Sequence, residues 1–302
     1  MSSLRIVSHG PPPAATPEPA SASQPEAPES AYKTHRRFDR AARLLTEPGL
    51  HRLMRSRVVV FGMGGVGSFA AEALARSAVG TLVVVDFDDV CVTNTNRQLH
   101  AMKGNIGLRK VDVMAERLRR IHPTGVVEAV PEFYDPASSE RLLSGQVDFV
   151  VDAIDNLSAK GHLVATCIAR AIPLVSCMGA AARLDPTRVV VRDLSETEID
   201  PFSKDLRRIL RDKHGIDCRR GHPVGVSAVF STETPQPPAE VSYDEGKGFQ
   251  CVCPSSDNGR HTCERRARID GSAAFVTGTF GLVAASVVVR ALSAAGAKGA
   301  PR

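Results

Sequence analysis

The stretch from Val58 to Gln98, VVVFGMGGVGSFAAEALARSAVGTLVVVDFDDVCVTNTNRQ, restricts what this chain can fold into more than any other. Val58 to Phe61 is an unbroken apolar run of the length a strand buried on both faces needs, and Gly62, Gly64 and Gly67 follow it at the spacing G-x-G-x-x-G. Behind the turn, Val66, Phe69, Ala70, Ala73, Leu74 and Ala78 recur at helical spacing. The glycines therefore lead into a helix whose first N–H groups point at an anion. Leu82 to Val85 reads as the next strand and ends at Asp86, where a carboxylate accepts ribose hydroxyls. The expected class is α/β: a doubly wound, Rossmann-like, mainly parallel sheet.

This fingerprint alone serves NAD enzymes, flavoproteins, methyl transferases and ATP-binding proteins. The residues after Asp86 narrow the choice. The chain continues D-F-D-D-V-C-V-T-N-T-N-R-Q, passes a loop containing His100 and Asn105, and reaches G-L-R-K-V-D, where Lys110 opens a helix with the stripe Leu108, Val111, Met114, Leu118, Ile121. A lysine off such a stripe is ordinarily a solvated charge. An arginine and a lysine delivered from these two places to the phosphate end of a nucleotide suit nucleotidyl transfer, in which fixed cations stabilise charge on the moving phosphoryl group.

The alternation continues. Val126 to Val130 reads as a strand, followed by a short helix through Leu143. The strand VDFVVDA, Val147 to Ala153, releases Asp152 and Asp155 into the crevice where doubly wound sheets bind ligands. Asp155 is the candidate magnesium ligand, and Asp152 reads equally well as a helix cap. The helix of Ala159, Leu163, Cys167 and Ala171 and the strand Ile172 to Ser176 follow. After them Met178-Gly-Ala-Ala leaves room for an acyl substrate, although a tight turn also explains it. Val189 to Val191 and Val224 to Phe230 read as strands of a more antiparallel C-terminal part, and Gly271 to Val289 as a final buried helix rather than a membrane span.

In order, GxGGxGS (Gly62, Gly64, Gly65, Gly67), DxDxV (Asp86, Asp88), NxNRQ (Asn94, Arg97, Gln98), GxxK (Lys110) and DAIDN (Asp152 to Asn156) resemble the adenylation domain of the ubiquitin-activating-enzyme superfamily, which includes the sulfur-carrier adenylyltransferases. Within it, VCVTNTNRQLHA, RLDPTRVVVRDLSET and VFSTE are most similar to the bacterial tRNA threonylcarbamoyladenosine dehydratase family. The resemblance implies ATP and Mg²⁺ as cofactors. It implies phosphates on the glycine turn, ribose on Asp86, and Asp88, Asn94 and Gln98 within the nucleotide site. Arg97, Lys110 and Asp155 become the catalytic set, with the metal on Asp155. It also implies a homodimer in which the second arginine of an R-[FY]-x-R segment, Arg40, reaches the partner's ATP, with Arg43 in competing register.

The implied reaction is ATP-dependent cyclisation of threonylcarbamoyladenosine in tRNA, through adenylate activation of its threonyl carboxylate. Two alternatives stay open. One is adenylation of the C-terminal glycine of a ubiquitin-like sulfur carrier, with a sulfur-transfer protein as partner; the other is a non-catalytic nucleotide-binding adaptor. A plain NAD(P) dehydrogenase is a more distant reading.

At 302 residues with 43% apolar content the chain can bury a core unaided. A net charge of +5 permits an RNA partner without demanding one. Seven cysteines, an odd number without paired C-x-x-C spacing, suit free thiols in a reducing compartment. Residues 1–32 are rich in Pro and Ala and are expected to be a disordered tail; with no continuous apolar segment after Arg5, no secretory signal is expected and the location follows as cytoplasmic. The expected divisions are an ATP-binding adenylation core over 33–195, a basic insert and mobile loop over 196–270, and a C-terminal helix and tail over 271–302. In the insert, Arg207, Arg208, Arg211, Lys213, Arg219 and Arg220 are candidates for tRNA phosphates, or simply a solvated helix face. Cys251 and Cys253 sit one residue apart, near His261 and Cys263, a spacing that argues against structural zinc.

Overall fold

The structure, a computed structural model, describes residues 36–239, 241 and 270–294. The expected N-terminal tail and the stretch with Cys251, Cys253, His261 and Cys263 lie outside the described residues. Two short helices, α1 (Asp39–Leu45) and α2 (Glu47–Arg55), precede strand β1 (Arg57–Phe61). The chain then alternates through α3 (Gly67–Arg76), β2 (Thr81–Val85), α4 (Lys110–Ile121), β3 (Val126–Val130), α5 (Pro136–Leu142), β4 (Phe149–Asp152), α6 (Leu157–Ala169) and β5 (Leu174–Cys177). It ends with β6 (Val189–Asp193), α7 (Pro201–His214), β7 (Ser227–Ser231) and α8 (Ala274–Ala294).

The seven strands form one sheet in the order β3-β2-β1-β4-β5-β7-β6. All neighbours are parallel except the β6–β7 pair. The antiparallel contribution expected near the C-terminus is thus β6, whereas β7 lies parallel to β5 inside the same sheet. Burial patterns in sequence report that a strand is covered but not the direction it runs, which is why both strands read alike beforehand. Because β1 sends connections to β2 on one side and is flanked by β4 on the other, the order reverses at β1, and the crevice opens at the carboxyl ends of β1 and β4.

Each strand contributes alternate residues to two cores. Val58, Val60, Leu82 and Val84 meet α3, α4 and α8 on one face. Val59, Phe61, Val83 and Val85 meet α5, α6 and α7 on the other. Helix α8 is long and apolar enough to cross a membrane, yet Val276, Phe280, Ala284 and Val288 are fully buried in the first of these cores. Its approach to α3 is close: a Cβ on Gly281 would lie 2.3 Å from the Val66 carbonyl oxygen. Leu108, expected in the stripe of α4, precedes that helix and is half exposed.

Candidate functional site

At the carboxyl edge of the sheet lies a cavity of about 1070 Å³. Gly62, Gly64 and Gly65 line it together with Asp86, Asp88, Asn94, Arg97, Gln98, Lys110 and Asp155. The two cations and the acid that the sequence singled out therefore share one wall system with the glycine turn.

The glycines have separate reasons to be glycine. Gly62 takes φ 89°, and a Cβ there would come within 2.6 Å of the Ala153 carbonyl oxygen, so no side chain is tolerated where β1 and β4 deliver the turn. Gly67, the last glycine of the fingerprint, is buried at the start of α3 and does not border the cavity. A Cβ on it would sit 1.7 Å from the Gly62 carbonyl oxygen. It lets the helix close on the turn.

Asp86 has a second task besides any ribose contact. Its carboxylate accepts N–H bonds from Met63 at 2.6 Å and Asp88 at 2.8 Å, pinning the glycine turn to the end of β2. Burial raises its carboxyl pKa above the usual range, and the neighbouring Lys110 only partly offsets that. Lys110 donates to Asp88 at 2.8 Å. Burial pulls its ammonium downward, but the carboxylates of Asp86, Asp88 and Asp155 outweigh burial and the net shift is upward. It is a fixed cation held in a cage of acids.

Arg97 donates to the carbonyl oxygen of Thr93 at 2.9 Å and the side chain of Asn96 at 3.0 Å, within the turn that Asn94 caps by accepting from the Cys91 N–H. Gln98 is buried, and among the described residues its side-chain oxygen meets no donor. Behind it His100 is wholly buried and both ring nitrogens are unpartnered among the described residues. Burial, with the Lys110 charge adding to it, lowers the pKa of His100 to about 3, so the ring is neutral.

The two acids of DAIDN separate. Asp155 is exposed at the cavity. Asp152 is fully buried and takes Lys160 at 2.7 Å and the Ser176 hydroxyl at 2.6 Å, so it is neither a metal ligand nor the cap of α6, which is Asn156. Among the described residues no cluster of three or more His, Cys, Asp or Glu side chains is arranged to hold a metal. An ion held by one accessible carboxylate and substrate phosphate oxygens fits such a site.

Arg40, on α1, is exposed and does not line the cavity of its own chain. Arg43 pairs with Asp39. Of the basic residues around α7, Arg207 donates to the carbonyl oxygens of Ser195 and Thr197, and Arg208, Arg211, Arg219 and Arg220 pair with nearby acids. The thiols of Cys167 and Cys177 are pushed up to about 12 by burial, which leaves them inert as nucleophiles.

One cavity residue was given no role by the sequence, although it opens the stretch RLDPTRVVVRDLSET. Arg183 follows Met178-Gly-Ala-Ala-Ala and is only 4% exposed. Its burial arises from loops that approach from residues 233–236 and 270–271, which no local pattern announces.

Residues 38–301 match the profile of the ThiF family. The chain belongs to the ThiF family. It is 40% identical over 267 residues to the tRNA threonylcarbamoyladenosine dehydratase of Escherichia coli K12, covering 87% of this chain and 95% of that protein. It is 44% identical over 226 residues to the dehydratase of Bacillus subtilis 168, covering 73% and 86%. The crystal structure of the E. coli dehydratase in complex with ATP superposes with a TM-score of 0.75 at 38% identity, over 88% of this ThiF-family chain and 97% of that one. The molybdopterin-synthase adenylyltransferase of E. coli is 36% identical, but over 137 residues, 45% of this chain and 54% of the relative.

Proposed function

We propose that this protein is an ATP-dependent tRNA threonylcarbamoyladenosine dehydratase. The observation that carries the reading is the cavity in which the glycine turn, Arg97, Lys110 and Asp155 meet, in a chain similar to dehydratases along nearly its whole length. The similarity to the sulfur-carrier adenylyltransferase stops at about half of each chain, which favours the tRNA substrate over the carrier protein.

A carboxylate is a poor electrophile. In the proposed reaction an oxygen of the threonyl carboxylate attacks the α-phosphate of ATP and pyrophosphate leaves. The carbamoyl group of the same nucleoside then attacks the acyl carbon, AMP departs, and the net change in the nucleoside is loss of water. Gly62, Gly64 and Gly65 would cradle the phosphates, Asp86 the ribose, and Arg97 with Lys110 would neutralise charge between α-phosphate and pyrophosphate. Asp155 would hold Mg²⁺, which when bound neutralises phosphate charge. No protein nucleophile is required. Arg40, exposed and outside the lining of its own cavity, would serve a second copy, and a homodimer belongs to the proposal, as does a cytoplasmic location where tRNA is available.

The test incubates the purified protein with ATP, Mg²⁺ and tRNA that carries or lacks threonylcarbamoyladenosine. AMP release and loss of one water from the modified nucleoside, read by mass spectrometry, are expected with the modified tRNA alone. Equal ATP consumption with both would overturn the reading.

A further inference from the structure

The cavity has a second wall, opposite in character to the nucleotide wall. It is built from the segment after β5, Gly179 to Arg183, and from the N-terminus of α7, where Asp200, Pro201 and Phe202 border the same space. Arg183 is buried in it. Its Nη1 donates to the Ala181 carbonyl oxygen at 2.7 Å, but among the described residues Nε and Nη2 have no hydrogen-bond acceptor. The nearest carboxylate oxygen, on Asp200, is 3.8 Å from Nη2.

Asp200 is poorly free to turn toward the guanidinium. One oxygen accepts from the Phe202 N–H at 2.8 Å and, more weakly, from that of Ser203, as cap of α7; the other accepts from the Gly179 N–H at 3.0 Å. Arg183 is thus a buried cation with donors to spare, which is a costly state unless something else claims them. Its backbone is also held firmly. Ala182 sits at φ 62°, donates to Gly271 and accepts from Gln236, while Glu233 takes the N–H groups of Leu184 and Asp185. Gly179 lies beside the guanidinium: a Cβ there would stand 3.2 Å from Oδ1 of Asp200, 3.4 Å from Cβ of Phe202 and 3.6 Å from Nη1.

An acyl carboxylate that must approach the polyanionic end of ATP meets strong repulsion. We propose that Arg183, with the N-terminus of α7 beside it, forms the subsite that receives the carboxylate of the acyl substrate and holds it facing the α-phosphate; the assignment rests on the dehydratase reading above. The guanidinium releases its loose hold near Asp200 and presents the unmatched donors to the substrate carboxylate as a paired fork. Lys110 and Arg97 manage the phosphates from one wall, and Arg183 manages the incoming anion from the other.

Calorimetry with the nucleoside N6-threonylcarbamoyladenosine and with its threonyl methyl ester, each in the presence of a non-hydrolysable ATP analogue, tests this on the full-length protein. The wild type is expected to bind the acid at least about tenfold tighter than the ester. Arg183→Met is expected to bind both at the level of the ester, Arg183→Lys to recover part of the preference, and all three to bind the ATP analogue alike. An Arg183→Met protein that keeps the wild-type preference for the acid overturns the assignment, as does one that loses analogue binding to the same degree. Should Arg183→Met melt too low to assay, an unchanged preference in Arg183→Lys together with Arg183→Gln has the same force. A wild type that binds the analogue but neither nucleoside sinks the dehydratase reading itself.

Discussion

The two walls of the cavity solve the problem of buried charge in different ways. On the nucleotide wall the buried charges are already held: Lys110 lies on Asp88, and Asp86 takes two backbone N–H groups of the turn it stabilises. On the wall of Arg183 the ion pair is long, and two guanidinium nitrogens wait without acceptors among the described residues. The first wall is organised before any ligand arrives, so reorganisation costs little when phosphate charge develops. The second is incomplete by itself, which suits a wall that must select one anion.

Removing Lys110 strikes the organised wall hardest. Lys110→Met is expected to lower turnover by roughly 10²–10³-fold and to destabilise the fold by about 3 kcal/mol, because Asp86 and the partly exposed Asp88 lose their cation. Steady-state kinetics and thermal melting check both. Asp155→Asn separates the two effects: turnover falls by about 10²-fold with an unchanged melting temperature, since Asp155 is exposed. An equal loss of stability in both variants would erase the contrast between a buried cation and an exposed acid.

Gly67→Ala comes next. The added methyl would collide with the Gly62 carbonyl, so α3 must withdraw from the turn at about 1–3 kcal/mol. ATP affinity should drop with it although Gly67 touches no part of the cavity, as equilibrium binding would report. On the other wall, Asp200→Ala removes the cap of α7 and the brace of Gly179. The expected cost is about 1–2 kcal/mol, with ATP affinity intact.

The effect least visible at neutral pH is a slope on acidification. His100 has a folded pKa of about 3, below its unfolded value near 6.5. The unfolded chain therefore binds more protons between these values, and stability present above pH 6.5 is lost as pH falls toward 3. The contribution approaches ~1.4 kcal/mol per pH unit at most. His100→Leu should flatten the melting temperature against pH over this interval; an unaltered slope would assign the acid sensitivity to other groups.

The nucleotide wall was legible in the sequence because its parts are local. A strand, a glycine turn and an acid at the end of the next strand are each written within a few residues, and β1, α3 and β2 form where the periodicity places them. Lys110 and Asp155 were legible through the order of motifs, which the parallel sheet converts into one edge. Asp152 was ambiguous because its partner, Lys160, lies in the first turn of α6 and reveals nothing until that helix packs over the sheet. Gly67 looked like its neighbours in the fingerprint, and only the approach of helix to turn tells packing from binding. The burial of Arg183 was not legible, although the residue opens a stretch that carried the resemblance: an arginine after a run of small residues is normally solvated, and this one is 4% exposed.

The contact of Gly281 with the Val66 carbonyl has a temporal meaning. The phosphate turn is among the first described parts of the chain to be synthesised, and the helix that rests on it is the last. A ribosome-bound chain that has exposed β1 through β7 but still holds α8 in the exit tunnel lacks one flank of its glycine turn and one layer of its core. Nucleotide capture is therefore expected to wait for this helix, and ATP retained on nascent chains stalled at successive lengths would rise once its residues have emerged and docked on the turn.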